Sequence, residues 1–279
     1  MKRTLAVSIA LYIALFLIPL LTAGQFPLLE GGREPSPPPQ AEPEAGAPPV
    51  PADSSAAESP SPSPEPSASP EPPEPAVSPP ADAGASISVL TDGSVREMTL
   101  RDFICGAVAA EMPALYPEEA LKAQAVAIRT FALYALEHPY HRDAPLCGNW
   151  ECCLAFSPLE ERAADWGGQY EELAGRIRAA ADQTDGVVIY YAGEPIEAVF
   201  FAATDGRTRS AAEVWGTDVP YLQSVGSAFD TDFPDGARGH GVGMSQYGAR
   251  QLALAGLSYE DILQWYYTGV EVRQIPYEN

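Results

Sequence analysis

The fold is decided by one short stretch, AEMPALYPEEALKAQAVA at residues 110–127. Pro113 disfavours helical geometry at the residue before it, so the apolar helix that precedes this stretch should end near Glu111. Pro117 suits the start of a second helix, and the apolar residues after it recur at helical spacing to about Leu136. The stretch therefore predicts two consecutive helices with a carboxylate at the corner between them.

Glu111 is the candidate catalytic residue of the chain. A carboxylate in the last turn of a helix lies beside unpaired carbonyl groups and the negative end of the helix dipole, which disfavour its ionised form. We therefore expect the pKa of Glu111 to be raised, which suits a general acid. On composition alone, a glutamate at a helix end is more often a solvated charge, and the motifs that follow favour the catalytic interpretation.

The N-terminus predicts export from the cytoplasm. Lys2 and Arg3 precede an uncharged, mostly apolar run from Leu5 to Leu21, which is about long enough to span a bilayer as a helix. The positive-inside rule keeps the two basic residues in the cytoplasm and places the rest of the chain on the extracytoplasmic side. We interpret residues 1–24 as a single-pass signal anchor, with a cleaved signal peptide, and hence a secreted protein, as the alternative.

Residues 25–85 are predicted to be a disordered linker. Between residues 35 and 80 lie 18 of the 29 prolines, mixed with Ala, Ser and Glu, a composition that cannot bury a core. As polyproline II, at roughly 3.1 Å per residue, some 50 residues would reach on the order of 150 Å from the membrane. The remaining residues, 86–279, have the size of one globular domain.

The charge of the chain restricts its partners. The formal net charge is −22 at pH 7, which disfavours binding to nucleic acid. The sequence also lacks the G-x-x-x-x-G-K-[ST] loop, the G-x-S-x-G elbow and the H-E-x-x-H pair. Three common enzyme classes therefore lose support.

The pattern of residues 86–279 predicts an α+β domain, a single compact unit of helices packed on antiparallel hairpins. Asp92-Gly93, between two short β-rich runs, predicts a first hairpin, and the segment from Val187 to Phe201 predicts a second. Beyond the two helices at the Glu111 corner, further helices are predicted over Tyr170 to Ala181 and Met244 to Ala255. A last helix should begin at a capping box formed by Ser258 and Asp261 and run to about Tyr267.

Sixteen residues contain two of the three histidines and three of the four cysteines, namely His138, His141, Cys147, Cys152 and Cys153. Thiolate and imidazole ligands favour tetrahedral Zn²⁺, and four protein ligands would make the site structural. The alternative is a disulfide, because an exported domain can pair Cys147 with Cys152 or Cys153. His138 is a candidate substitute for one of the adjacent cysteines.

A second motif, GHGVGMSQYGA at residues 239–249, contains four glycines. Glycines let the backbone approach a ligand closely. Four polar side chains of the motif can bind a hydroxyl-rich or amide-bearing substrate, namely His240, Ser245, Gln246 and Tyr247. The helix predicted after them adds free backbone amides.

Together these motifs give the chain a resemblance to the stage II sporulation protein D family, which also includes the amidase enhancers. The resemblance covers roughly Met98 to Val272. It rests on five motifs in order along the chain, Glu111-Met-Pro113, Glu119 to Thr130, Glu213-Val-Trp-Gly216, Pro220 to Ser224, and Gly239 to Ala249.

The resemblance implies a membrane-anchored lytic transglycosylase that cleaves peptidoglycan glycan strands lacking stem peptides. It also implies partners, a cell-wall amidase and other engulfment proteins of sporulation. Glu111 matches the family's catalytic glutamate, which would protonate the glycosidic oxygen and then accept the proton of the muramic C6 hydroxyl as a 1,6-anhydro ring closes. A second catalytic carboxylate, as in ordinary glycosidases, is then not needed. Arg129 is a further candidate for substrate binding, with a structural ion pair as the alternative.

The family's metal loop has the form His, five residues, Cys, four residues, His-Cys. It falls here on His141, Cys147, Cys152 and Cys153. Cys152 stands in place of the second histidine, and thiolate is an equally good zinc ligand. The resemblance therefore strengthens the prediction of a structural zinc ion.

The chain departs from the family in two other places. Residues 200–206 read FFAATDG where the family usually has a histidine in a strand end rich in Ser, Thr and Gly. About ten residues separate Asp230 from His240, where larger members carry a long insert. A second function therefore stays open, that of a noncatalytic peptidoglycan-binding activator of an amidase. A third, a zinc hydrolase that uses His240, would need an open metal position.

Overall fold

The computed structural model describes residues 81–234 and 236–275. The helices of this part are α1 Ala81–Gly84, α2 Leu100–Glu111, α3 Glu118–Glu137, α4 Ala163–Trp166, α5 Tyr170–Gln183, α6 Ala211–Trp215, α7 Gln246–Leu254 and α8 Tyr259–Tyr266. Its strands are β1 Ser86–Thr91, β2 Ser94–Thr99, β3 Leu146–Cys147, β4 Val187–Tyr191, β5 Glu194–Pro195, β6 Phe200–Phe201, β7 Met244–Ser245 and β8 Glu271–Gln274. Short 3₁₀ turns cover Leu159–Arg162, Gly167–Gln169 and Ala228–Asp230.

The strands of the described residues form three small sheets. β1 pairs antiparallel with β2 and parallel with β3, and β4 pairs antiparallel with β5 and β8. β6 and β7 form a separate parallel pair. The α+β class predicted from the sequence is confirmed, and β1–β2 and β4–β5 form antiparallel hairpins as expected. The parallel pairing of β3 and of β7 was not predicted.

The helix α3 lies at the centre of the fold. Of its 20 residues, 13 are buried, so it is covered on most sides rather than on one face. Helices α2, α5, α7 and α8 and strand β4 all pack against it. Small side chains such as Ala123 and Ala127, both fully buried, allow these neighbours to approach closely.

The corner between α2 and α3 forms as the sequence predicts. Thr99 caps the start of α2 by accepting a hydrogen bond from the Asp102 amide at 3.0 Å. The helix ends at Glu111, and Met112 is extended, with φ −133° and ψ 138°, because Pro113 excludes helical geometry there. Helix α3 then begins immediately after Pro117.

The predicted hairpin over Val187 to Phe201 forms only in part. The Ile196 amide still donates to the Ile189 carbonyl at 3.1 Å, but the chain then leaves β4. Phe200–Phe201 pairs with β7 instead. This change of partner brings the glycine-rich segment of residues 239–249 beside β6.

Two helix starts differ from the sequence-based expectation. Helix α7 begins at Gln246 rather than Met244, because Ser245 is its cap and accepts a hydrogen bond from the Gly248 amide at 3.1 Å. Helix α6, which opens with a capping box formed by Ser210 and Glu213, was not predicted. The capping box predicted for α8 is present.

The N-terminal predictions fall almost entirely outside the described residues. This applies to the anchor of residues 1–24 and to most of the linker of residues 25–85. The end of that linker is described, and α1 lies within it. No helix in the described ranges is long and apolar enough to cross a bilayer.

Candidate functional site

Glu111 lies in the wall of a cavity of about 950 Å³. Its side chain is half-buried. The Ala155 amide donates to its Oε1 at 2.5 Å, and the Gln246 side-chain amide donates to its Oε2 at 3.2 Å. Three distant segments of the chain therefore meet at this carboxylate.

The pKa of Glu111 is raised above its ordinary value, in the direction predicted from the sequence. Burial is the main cause, and the hydrogen bonds from Ala155 and Gln246 offset it in part. Both donors are neutral, and no lysine or arginine of the described residues forms an ion pair with Glu111. A desolvated carboxyl group without a cation holds its proton to higher pH than an exposed one, which suits a general acid.

The glycine-rich motif contributes two of its four predicted residues to the cavity. His240 and Gln246 line it together with Glu111. The tight approach depends on Gly243, where an added Cβ would lie 2.0 Å from the Val199 carbonyl oxygen, at a φ of +78°. The motif thus packs directly against the segment that leads into β6.

Ser245 and Tyr247 lie elsewhere. Ser245 is fully buried, and its hydroxyl donates to Asp230 Oδ2 at 2.5 Å. Tyr247 packs edge-on against Phe233, with ring centroids 5.0 Å apart, and lies under the Arg250 guanidinium. Neither lines the cavity, so their contacts in this structure are with the protein itself.

His240 stands at the exposed rim of the cavity. Its ring lies 5.3 Å from that of Trp215 and 5.8 Å from that of Phe201. Its Nδ1 accepts a hydrogen bond from the Val242 amide at 3.1 Å. Desolvation lowers the pKa of His240, and a hydrogen bond with the Phe200 backbone offsets this in part, so the neutral imidazole is favoured.

Arg129 lies away from the cavity. Its guanidinium is fully buried and donates from Nε to both oxygens of Asp82, at 2.9 and 2.8 Å, and from Nη2 to Oδ2 at 2.5 Å. It also donates to the carbonyls of Val187 and Ala181. The structure thus shows the ion pair that the sequence left as the alternative, and substrate would have to displace Asp82 to reach this guanidinium.

The four predicted metal ligands come together, and each of His141, Cys147, Cys152 and Cys153 offers an atom within 4.8 Å of the other three. His141 Nε2 lies 3.5 Å from Cys152 Sγ and 3.6 Å from Cys153 Sγ, and the two sulfurs are 3.9 Å apart. A tetrahedral site with Zn–S of about 2.3 Å and Zn–N of about 2.0 Å has edges of roughly 3.5–3.8 Å. The cluster could therefore hold a metal ion, and thiolate and imidazole are donors that zinc prefers.

The alternatives for this loop find less support. All four cysteines of the chain are free thiols in the structure. His138 caps the end of α3 and lies against the Tyr134 ring, with centroids 4.4 Å apart, outside the cluster. The Cys147 amide donates to Cys153 Sγ at 3.4 Å, the kind of contact that stabilises a metal-bound thiolate.

Sequence reasoning missed several residues of the cavity wall. Tyr140, Trp150, Trp215 and Glu197 line it, and Trp150 is 74% exposed. It also missed the Ala155 amide, which lies 44 residues from Glu111 along the chain. Two local signals could have found part of this wall. Trp150 lies within the metal loop, between Cys147 and Cys152, and Trp215 lies in the motif from Glu213 to Gly216.

Comparison with known proteins agrees with the motifs. Residues 91–191 match the family described as SpoIID: Stage II sporulation protein. Stage II sporulation protein D of Bacillus subtilis is 29% identical over 261 aligned positions, which cover 65% of this chain and 76% of that protein, and its counterpart in Bacillus amyloliquefaciens is 27% identical with the same coverage. A Bacillus subtilis protein named amidase enhancer is 31% identical over 117 positions, 42% of this chain and 14% of that protein.

Proposed function

We propose that this chain, whose residues 91–191 carry a stage II sporulation protein D domain, is a lytic transglycosylase of peptidoglycan glycan strands. The observation that carries the proposal is Glu111, a desolvated carboxyl group held by two neutral donors in the wall of a large cavity. A cavity of about 950 Å³ is of the size that holds several sugar rings. The substrates are strands of alternating GlcNAc and MurNAc without stem peptides.

Glu111 serves as both acid and base in this mechanism. In its protonated form it donates to the glycosidic oxygen, and the bond from that oxygen to the muramic C1 breaks. The carboxylate then accepts the proton of the muramic C6 hydroxyl, whose oxygen bonds to C1. The products are a GlcNAc hydroxyl end and a 1,6-anhydro muramic end, and no water is consumed.

The two donors decide which oxygen carries the proton. Ala155 approaches Oε1 at 2.5 Å, while Gln246 lies at 3.2 Å from Oε2. An amide N–H cannot donate to a protonated hydroxyl oxygen as strongly as to a carboxylate, so the proton belongs on the oxygen with the longer contact. Oε2 is therefore the atom that delivers and recovers the proton, and the Gln246 side-chain amide is its neutral neighbour.

The metal-ligand cluster fits a structural zinc ion held by His141, Cys147, Cys152 and Cys153. With four protein ligands, bound zinc would stabilise the loop without offering an open position for chemistry. The same loop continues to the Ala155 amide that holds Glu111. Metal analysis tests this assignment: one zinc per chain is expected, Cys152→Ala should lose it, and Cys152→His should keep it. Equal zinc content in all three proteins would contradict it.

The catalytic proposal is tested by Glu111→Gln, with Glu137→Gln as the matched control. Glu137 is also the last residue of a helix, but it is exposed. Wild type and Glu137→Gln should release anhydro-ended fragments from denuded strands, while Glu111→Gln should release them at least a hundredfold more slowly and still bind the strands. Equal cleavage by Glu111→Gln would contradict the mechanism.

A second function is supported by specific observations. Phe201 and Ala203, both buried, stand in a segment where polar groups would help to bind substrate, and a relative bears the name amidase enhancer. The alternative is a noncatalytic peptidoglycan-binding activator of a cell-wall amidase. Strand binding without cleavage, together with faster cleavage by an added amidase, would favour it.

The place of action belongs to the same proposal. Residues 1–24 would anchor the chain in the cell membrane, with the domain facing the cell wall, where the glycan strands and an amidase are accessible. Protease added to intact protoplasts should then digest the domain. Full protection of the domain would contradict this location.

A further inference from the structure

A second carboxylate, Glu197, lines the same cavity as Glu111 and has no part in the mechanism above. It follows β5 and is half-buried. The Tyr140 hydroxyl donates a hydrogen bond to its Oε1. The backbone amide of Glu197 in turn donates to the Tyr221 hydroxyl at 3.2 Å. Both the backbone and the side chain of this residue are therefore held in a defined position.

Glu197 has no cationic partner among the residues that the structure describes. Among residues 81–234 and 236–275, no arginine, lysine or histidine forms an ion pair with it. The Tyr140 hydroxyl binds Oε1, and Oε2 accepts no hydrogen bond from these residues. A half-buried carboxylate requires donors to offset its desolvation. An open Oε2 on a cavity wall is therefore a ready acceptor for a ligand.

Aromatic rings line the cavity that contains this acceptor. Tyr140 stacks on Phe131 with centroids 5.4 Å apart and an interplanar angle of 22°. Trp150 and Trp215, which are 74% and 47% exposed, line the same cavity. Exposed aromatic faces cover the apolar face of a sugar ring, while polar groups at the edge of the ring seek acceptors. Hydroxyl and N-acetyl N–H groups supply the donors that Oε2 lacks.

We propose that Glu197 binds the saccharide directly, with Oε2 accepting a hydrogen bond from a ring hydroxyl or N-acetyl N–H group. Tyr140 fixes the other oxygen, so the carboxylate is oriented before the ligand arrives. No proton is transferred in this role. The inference rests on the proposed function for the class of ligand, but it does not require that Glu111 cleave the strand.

Binding is measured by calorimetry in a Glu111→Gln background, so that cleavage cannot interfere. The probes are chitohexaose and denuded glycan strands. We compare Glu197→Ala and Glu197→Gln with Tyr140→Phe, which removes only the phenol contact. The control is Glu194→Ala, a change to an exposed carboxylate in the same hairpin.

Glu197→Ala should weaken binding of both probes roughly tenfold, and Glu197→Gln, which keeps an acceptor oxygen, roughly threefold. Tyr140→Phe should cost less than Glu197→Ala, and Glu194→Ala should change nothing. Glu197→Gln preserves the shape of the side chain, so its result holds if Glu197→Ala fails to fold.

Three outcomes overturn the inference. If Glu197→Ala binds within about twofold of the parent, Glu197 makes no direct contact with the saccharide. If the alanine variant does not fold, the same result for Glu197→Gln leads to the same conclusion. Equal losses in Glu197→Ala and Tyr140→Phe mean that Glu197 acts only by positioning Tyr140. If the Glu111→Gln parent binds neither probe, the ligand is not a saccharide. If wild type binds the strands but does not cleave them, only the enzymatic proposal is contradicted.

Discussion

Glu111 and Glu137 occupy the same position in consecutive helices, since each is the last residue of its helix. Glu137 is exposed. Glu111 is half-buried in a cavity wall and accepts hydrogen bonds from Ala155 and Gln246. The end of the helix dipole is common to both, so it does not select a candidate active site. The difference lies in burial and in the donors that tertiary structure brings.

The largest expected effect separates these two glutamates by reaction rate. Glu111→Gln removes the transferable proton and should lower the rate of strand cleavage by about 10²- to 10⁴-fold. Glu137→Gln should leave the rate unchanged. Anhydro-muramic ends are counted by mass spectrometry after equal digestion times. Similar losses in both variants would place the site elsewhere.

Arg129 extends the comparison to a charged residue that is buried and paired. Arg129, on the helix that Glu137 ends, is paired with Asp82 and fully buried. Arg129→Met leaves that carboxylate buried without a cation and should lower the free energy of unfolding by about 3–5 kcal/mol. The change is measured by urea denaturation.

The same variant separates a structural role of Arg129 from the substrate-binding role predicted from the sequence. Arg129→Met with Asp82→Leu should recover much of the lost stability, because the unpaired charge is removed. Cleavage per folded molecule should stay near that of wild type. A tenfold weaker binding of glycan by folded Arg129→Met would show that this guanidinium reaches substrate.

Removing a hydrogen-bond donor to Glu111 should have a smaller effect, on the pH dependence of cleavage. Gln246→Leu removes the hydrogen bond to Oε2 and disfavours the ionised form, so the pKa of Glu111 should rise further. Because cleavage needs the protonated form, the alkaline limb of the rate profile should move to higher pH, by about one unit for a bond of about 1.4 kcal/mol. Gln251→Leu, on the same helix, is the control. A shift to lower pH would contradict the assigned donor.

The smallest expected effect is on the pH dependence of the free energy of unfolding. The pKa of Glu111 is raised on folding, because burial outweighs its two hydrogen bonds. The folded state therefore binds the proton more tightly, and this contribution is present below the unfolded pKa and is lost as pH rises through the folded pKa. Wild type should lose stability relative to Glu111→Gln as pH rises from about 4 to neutral. The opposite slope in urea denaturation would contradict the raised pKa.

Local sequence signals predicted the corner of the fold well. Pro113 ends α2 and Pro117 precedes α3 because proline acts through the backbone of its immediate neighbours. The capping box at Ser258 and the turn at Asp92-Gly93 are local in the same sense. The metal ligands were also predictable, since all four lie within thirteen residues.

Non-local contacts explain what the sequence did not predict. The parallel pairing of Phe200–Phe201 with β7 joins segments more than forty residues apart, and no local pattern encodes it. Ser245 was expected to face substrate, but its hydroxyl binds the buried Asp230 instead. Glu197 was not recognised because a single glutamate in a strand-like segment becomes a candidate only when Tyr140 and the cavity are known.

The central claim is that one carboxyl group cleaves the strand without water. It is tested most directly by digesting denuded glycan strands in H₂¹⁸O and weighing the fragments. We predict 1,6-anhydro muramic ends without ¹⁸O, formed by wild type and absent with Glu111→Gln. New reducing muramic ends that carry ¹⁸O, formed in place of the anhydro ends and absent from strands incubated without enzyme, would show hydrolysis and contradict the single-carboxylate mechanism.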